Sequence, residues 1–188
     1  MTGPLVIHAA RAGDGPAIGR IQAQAWRETY PGLLPAAQIA AVDPVERGAM
    51  WADAIASGVA RGICIAECDG EAIGFGACTA QRSADLRARG YGGEVTALYV
   101  LRAGQRRGAG RALMAALARR LVAEGDRAMA LWVLSSNAPA RCFYEAIGGT
   151  ELGMRSGDGA HGAETAYGWS DLRGLAQAAG AEQEGRSR

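Results

Sequence analysis

Apolar residues along this chain follow two periodicities, one typical of strands and one typical of helices. Leu113, Leu117 and Leu121 recur at helical spacing and predict an amphipathic helix. Further helices are predicted after Asp14 and Asp43, because aspartate favours helix N-termini. Between the helical segments lie short apolar runs that predict strands, at residues 5–11, 61–68, 72–78, 94–101, 129–134, 150–154 and 164–169. The pattern predicts an α/β fold.

A single domain accounts for all of these elements. The Asp69-Gly70 pair between two strand-like runs is typical of a tight hairpin turn. We therefore expect a mixed, mostly antiparallel sheet of about seven strands, parallel at one place and flanked by helices. The domain is predicted to span residues 1–171, and the polar segment 81–93 is predicted to be a loop with room for a short helix. Residues 172–188 are rich in alanine, glutamine and glycine and are expected to form a frayed or loosely helical tail.

A strand, a glycine-rich turn and a helix follow one another between residues 94 and 121. The turn, 105–111, contains Gly108 and Gly110 among several arginines. Backbone N–H groups at such a helix start are unpaired and carry the positive end of the helix dipole, so they can bind an anion such as phosphate. The turn also fits a plain strand-to-helix connection. Neither a P-loop nor a dinucleotide fingerprint fits, because Arg111 and Leu113 stand where those motifs need other residues.

A second motif follows the predicted strand 129–134. It reads Asn137-x-x-Ala140-x-x-Phe143-Tyr144-x-x-x-Gly148, with Asn137 suited to begin a helix and Gly148 suited to end it. Together with Gln105-x-x-Gly108-x-Gly110, this resembles the GCN5-related N-acetyltransferase (GNAT) superfamily. The close resemblance covers residues 94–150, and the flanking segments fit the family in general pattern.

The resemblance implies a GNAT-like fold and binding of acetyl-CoA, with its pyrophosphate on the glycine turn. It further implies that the strand before the turn pairs with the pantetheine arm, that Asn137 hydrogen-bonds this arm, and that the acetyl group passes directly to an amine in a ternary complex. The cofactor-binding residues implied are Leu98, Tyr99, Val100, Gln105, Arg106, Arg107, Gly108, Ala109, Gly110, Arg111, Asn137, Ala140 and Phe143. We expect Arg102 and the arginines of the turn to contact the CoA phosphates.

Acetyl transfer to an amine needs a base for the amine, a donor for the carbonyl oxygen and an acid for the departing thiol. The resemblance implies Glu94 as the base and Tyr144 as the acid, with the backbone N–H of Val100 or a neighbour as the donor. Strand alternation predicts that Glu94 shares a face with Leu98 and Val100. Glu94 also fits a solvated carboxylate at a strand end, with chained waters as the base, and Tyr144 also fits packing beside Phe143.

The acceptor amine is expected to lie near aromatic residues outside the two motifs. Trp26 and Tyr30 belong to a segment that resembles the one lining the acceptor pocket in many such enzymes, although Trp26 also fits ordinary core packing. Tyr91 is predicted to lie over the same site. We expect a primary amine of a small molecule or a peptide amino terminus. A non-catalytic acyl-CoA-binding module and a nucleotide-binding protein remain as alternatives.

Charge and cysteine content narrow the classes of partner. The 20 basic and 19 acidic residues give a formal charge of +1, which does not favour a nucleic-acid partner. The four cysteines lack the spacing of a zinc site, so we expect free thiols, no metal and a cytoplasmic location. Neither a membrane span nor a signal peptide is predicted. The resemblance makes a homodimer an expectation.

Overall fold

The structure is a computed structural model that describes residues 3–157 and 162–177. The strands are β1 (Leu5–Ala9), β2 (Gly62–Cys68), β3 (Glu71–Ala80), β4 (Gly93–Val100), β5 (Met129–Leu134), β6 (Thr150–Arg155) and β7 (Glu164–Trp169). The helices are α1 (Gly15–Thr29), α2 (Ala36–Ala40), α3 (Pro44–Ser57), α4 (Ala84–Ala88), α5 (Ala109–Ala123), α6 (Ala138–Ala146) and α7 (Leu172–Gln177). Each predicted strand is present, and α4 lies in the segment predicted to hold a short helix.

The strands form a 7-stranded sheet in the order β1-β2-β3-β4-β5-β7-β6. Neighbours are antiparallel except β4 and β5, which run parallel. The prediction of a mixed, mostly antiparallel sheet is therefore confirmed.

Local sequence signals account for the ends of several elements. The Asp43 carboxylate accepts hydrogen bonds from the N–H groups of Val45 and Glu46, and it thereby caps α3. Asp69 and Gly70 both adopt positive φ, as the tight turn between β2 and β3 requires. The Asn137 side chain accepts from the Ala140 N–H at 3.3 Å and caps α6. The hairpin turn and the two helix caps were predicted from the residues alone.

Helices cover both faces of the sheet. The predicted stripe of α5, with Leu113, Leu117 and Leu121, is fully buried against one face. The opposite face packs against α1 and α3, where Ile18 and Trp51 meet Phe75 of β3. Each face of the sheet therefore has its own apolar core.

Helix α7 extends the domain beyond the predicted boundary at residue 171. Leu172 and Leu175 are buried in the same core cluster as α5, and the Leu172 N–H donates to the Arg127 carbonyl at 3.0 Å. Residues 172–177 of the segment expected to be a frayed or loosely helical tail form a helix packed on this core, because these two leucines contribute apolar surface that the composition of the segment concealed. Residues 178–188 of the predicted tail lie outside the described residues.

A bulge in β4 changes which side chains face which helices. Ala77 pairs with Ala97 and Cys78 pairs with Val95, so Thr96 is an extra residue on β4. Val95, Leu98 and Val100 contact the α5 core, whereas Ala97 and Tyr99 face α1. Glu94 therefore lies on the α1 face. The prediction that it shares a face with Leu98 and Val100 is wrong, because the bulge shifts the alternation by one residue.

Candidate active site

A cavity of about 690 Å³ passes through the sheet where β4 and β5 separate. The two strands pair at Gly93 with Met129 and at Glu94 with Ala130, and their pairing ends there. Beyond that point, residues 95–100 of β4 and 131–134 of β5 line opposite sides of the cavity. The cavity therefore connects the α5 face of the sheet with the α1 face.

The glycine-rich turn forms one end of this cavity. Gly108 adopts φ of 84° and stands at the N-cap of α5, and Arg106 adopts φ of 61°. Both values lie in the left-handed region, which favours glycine and strains a residue with a Cβ. A Cβ on Gly110 would lie 3.1 Å from the Phe143 ring, so this glycine allows the close approach of α5 and α6. The turn thus presents the N-terminus of α5 to the cavity, as predicted.

The exposed edge of β4 supplies backbone groups to the middle of the cavity. The Leu101 N–H donates to the Ile73 carbonyl on β3 at 2.8 Å. Because alternate residues direct their backbone groups to opposite sides of a strand, the N–H groups of Leu98 and Val100 point into the gap. Gln105 Nε2 donates to the Val100 carbonyl from that side at 3.0 Å. Leu98 and Val100 can therefore pair with an extended ligand lying along β4.

Tyr144 of α6 lines the cavity on the α5 face. Its ring packs against Phe143, Tyr167 and Trp169, with centroid distances of 5.4, 6.0 and 6.1 Å. Burial raises the pKa of the Tyr144 phenol above its ordinary value, and the nearby Tyr99 adds to the rise. The phenol therefore stays protonated at neutral pH, as a proton donor must.

Glu94 occupies a different environment from the one expected of a general base. The residue is 3% exposed and is absent from the cavity lining among the described residues. The oxygens accept from the backbone N–H, Nε and Nη2 of Arg82, at 2.9, 3.1 and 2.7 Å. Glu94 therefore fixes the segment that leads into α4, and the geometry supports a structural role.

Aromatic side chains line the other half of the cavity, on the α1 face. Trp26 of α1 and Tyr30, which directly follows the helix, stack edge to face with centroids 4.9 Å apart, and Trp26 Nε1 donates to the Tyr99 hydroxyl at 3.1 Å. Burial raises the pKa of Tyr30, and Tyr99 contributes through its charge and a hydrogen bond. Trp132 of β5 lies on the same side of the sheet. Trp26 and Tyr30 thus line the cavity, as expected of acceptor-binding residues.

Glu164, at the start of β7, also lines this half and was not singled out from the sequence. Its Oε2 accepts from Arg155 Nε at 2.6 Å and lies 2.5 Å from Nη2, and the Arg155 guanidinium lies 4.1 Å from the Trp132 ring centroid. Glu164 is the acidic member of the cavity lining within residues 3–157 and 162–177. Its strand was predicted, but no local motif marks the residue.

Besides Glu94, three residues expected at the site are absent from the described cavity lining. Tyr91 packs in a cluster on the α4 side, and a Cβ on Gly168 would lie 2.6 Å from its ring, so the expectation that it covers the acceptor site is corrected. Arg102 Nη2 donates to the Glu28 carbonyl at 2.8 Å. This contact holds the Arg102 side chain against α1, so the geometry does not support its expected contact with the CoA phosphates. Arg107 is absent from the described lining, although its neighbours Arg106 and Arg111 belong to it. Every other expected cofactor-binding residue lines the cavity: Leu98, Tyr99, Val100, Gln105, Gly108, Ala109, Gly110, Asn137, Ala140 and Phe143.

Comparison with known proteins identifies the class to which this fold and cavity belong. The sequence model of the acetyltransferase (GNAT) family matches residues 21–149. The uncharacterized N-acetyltransferase YuaI of Bacillus subtilis (strain 168) is 30% identical over 174 residues, covering 91% of this chain and 96% of YuaI. The chain therefore belongs to the GNAT acetyltransferase family.

Solved structures share the fold at lower identity. The yncA protein of Salmonella typhimurium, with its cofactor acetyl-CoA, has a TM-score of 0.66 and 22% identity, over 89% of this chain and 94% of that one. The PaiA N-acetyltransferase of Thermoplasma acidophilum, in complex with coenzyme A, has a TM-score of 0.67 and 17% identity, over 88% and 99%. These likenesses establish the single-domain GNAT fold.

The described part of the chain contains neither a membrane-spanning helix nor a cluster of metal-ligating side chains. None of its helices combines the length and apolar character needed to cross a bilayer. Within residues 3–157 and 162–177, no three histidine, cysteine, aspartate or glutamate side chains come together as a metal site.

Proposed function

We propose that the protein transfers the acetyl group of acetyl-CoA to a primary amine of a small molecule or a peptide amino terminus, directly in a ternary complex. The observation that carries the proposal is the continuous cavity, which joins the glycine turn on one face of the sheet to the aromatic half on the other. Such a passage lets two ligands enter from opposite faces and meet between β4 and β5. Membership of the acetyltransferase family also supports the proposed acetyl transfer.

The residues at the glycine-turn end fit the chemistry of acetyl-CoA. The N-terminus of α5 offers unpaired N–H groups and a positive dipole to a pyrophosphate, with Arg106 and Arg111 beside it. The N–H groups of Leu98 and Val100 suit the amides of the pantetheine arm, and Phe143 and Ala140 supply apolar contact. When bound, acetyl-CoA supplies an acetyl group activated as a thioester.

Two groups of the chain are assigned roles near the thioester. Tyr144 protonates the departing CoA thiolate, since its buried phenol remains neutral and lines the cavity. The Val100 N–H, directed into the gap, serves as hydrogen-bond donor to the acetyl carbonyl. Because Glu94 is engaged by Arg82, we assign the removal of the amine proton to water in the cavity.

An acceptor screen tests this function. The protein is incubated with acetyl-CoA and a panel of alkylamines, amino acids, amino acid amides and short peptides, and CoA thiol release and N-acetyl products are measured. We expect release above the acceptor-free rate for at least one amine. Acetyl-CoA binding without any transfer would identify the alternative, a non-catalytic acyl-CoA-binding module on the same fold.

A further inference from the structure

The charged residues of the cavity lining are divided between its two ends. Arg106 and Arg111 lie at the glycine turn, whereas Glu164 lies in the aromatic half. The aromatic half of the lining also contains Trp26, Tyr30, Tyr99 and Trp132, together with Ala25, Thr29 and Leu34. The charged side chain that this half of the described lining presents to an acceptor is therefore the carboxylate of Glu164, set among aromatic faces.

We propose that the acceptor is a cationic primary amine on an aromatic or aliphatic body, without a carboxylate beside the nitrogen, and that Glu164 selects it. This rests on the proposed acetyl transfer and specifies the substrate class of the same cavity. An alkyl amine is protonated near pH 7, so it approaches as a cation that a carboxylate attracts. Aromatic ring faces attract the same cation.

Arg155 holds the Glu164 carboxylate in place. Both of its contacts, from Nε at 2.6 Å and Nη2 at 2.5 Å, are to Oε2. Arg155 also lies over the Trp132 ring at 4.1 Å, so carboxylate, guanidinium and indole form one packed unit beside the cavity. The side chain of Glu164 is 24% exposed, and it is thus partly shielded from water and still open to a ligand.

The effect of Glu164 extends across the aromatic half of the cavity. Burial is the main reason that the pKa of Tyr30 is raised, and Glu164 adds a smaller contribution through its charge. A carboxylate on the acceptor would enter the same field and be repelled. An uncharged amide at that position would not be, so an amino-terminal residue of a peptide also belongs to the accepted class.

Three acceptors of similar shape test this inference: 2-phenylethylamine, phenylalaninamide and phenylalanine. They share the phenylethyl body and the amine, and only phenylalanine carries a carboxylate beside it. We expect kcat/KM for 2-phenylethylamine and for phenylalaninamide to exceed that for phenylalanine by about 10-fold or more. Calorimetric binding of the same compounds to the protein with CoA present provides a second readout that needs no transfer.

Glu164→Gln removes the charge and keeps the shape of the side chain. We expect it to weaken 2-phenylethylamine binding and to lower the preference over phenylalanine by about 10-fold, with acetyl-CoA affinity unchanged. Glu151→Gln is the matched control, because Glu151 lies on the neighbouring strand β6, pairs with Arg141 of α6 and is outside the described lining. It should leave the preference as in the wild type.

The outcomes separate the two proposals. Selective binding of the carboxylate-free amines without acetyl transfer would overturn the proposed function and leave this inference standing. Transfer to phenylalanine as fast as to 2-phenylethylamine would overturn the inference and leave the function standing. The wild-type comparison decides this even if Glu164→Gln does not fold, and an unchanged preference in a folded Glu164→Gln also contradicts the role of Glu164.

Discussion

Replacing Tyr144 with phenylalanine tests the acid assigned to this site while leaving its packing intact. The variant keeps the ring that contacts Phe143, Tyr167 and Trp169 and loses one oxygen. A neutral hydrogen bond contributes about 0.5–1.5 kcal/mol net, so we expect the free energy of unfolding to fall by no more than about that amount. Acetyl-CoA affinity should change within the same limit.

Turnover is expected to respond far more strongly. General acid catalysis accelerates reactions by about 10²–10⁴-fold, and water can partly replace the phenol, so we expect a loss of about 10- to 10³-fold in kcat. This corresponds to about 1.4–4.1 kcal/mol of barrier, which ranges from about the largest expected effect on stability or binding to well above it. Burial raises the pKa of the Tyr144 phenol above its ordinary value of 10.0, so the wild type should not lose its acid as pH rises from 7 to that value.

The identity of the leaving group provides the control. Both proteins are assayed with acetyl-CoA and with an acetyl thioester whose thiol has a lower pKa and needs less protonation. The Tyr144→Phe loss should shrink with the second thioester. Equal losses with both would show that the hydroxyl positions the substrate and is not the acid, and an unchanged rate would show that Tyr144 only packs.

Three further predictions concern other parts of the molecule. Glu94→Gln and Arg82→Met should each lower the free energy of unfolding by about 1–3 kcal/mol, because each breaks a charged hydrogen-bonded pair. Both variants should retain the kcat of the wild type. A kcat loss of about 10²-fold in Glu94→Gln alone would restore Glu94 as the base. The acetyl-CoA affinity of Gly108→Glu should be about 10-fold or more below that of Gly108→Ala, a control that shares the strain of a side chain at positive φ. Equal affinities of the two variants by calorimetry would contradict the phosphate site. Leu172→Ala should lower the free energy of unfolding by about 2–5 kcal/mol in denaturant titrations, because Leu172 is fully buried. A loss below about 0.5 kcal/mol would restore the predicted boundary at residue 171.

Local signals account for what could be predicted from the sequence. The Asp69-Gly70 turn, the Asp43 and Asn137 caps and the leucine stripe of α5 each depend on a few adjacent residues, and each is present in the structure. The glycine turn and Tyr144 likewise belong to motifs whose residues lie close together in the sequence. Their placement along one cavity follows from the order of strand, turn and helix.

Features that depend on distant parts of the chain could not be predicted in this way. The Thr96 bulge is defined by pairing with β3, and it turns Glu94 to the α1 face. The Arg82 partner of Glu94 and the Gly168 contact of Tyr91 likewise arise from packing between separate elements. Glu164 reaches the cavity because β7 pairs with β5, which no pattern around residue 164 indicates.

Acetyl transfer itself is the most direct test of the account. The protein is incubated with acetyl-CoA carrying a labelled acetyl group and with the amine panel, and labelled products and free CoA thiol are quantified together. We predict labelled N-acetylamine and CoA thiol in equal amounts, from at least one amine without an adjacent carboxylate. Label that stays on CoA with every amine, or that appears only as acetate, would contradict the account.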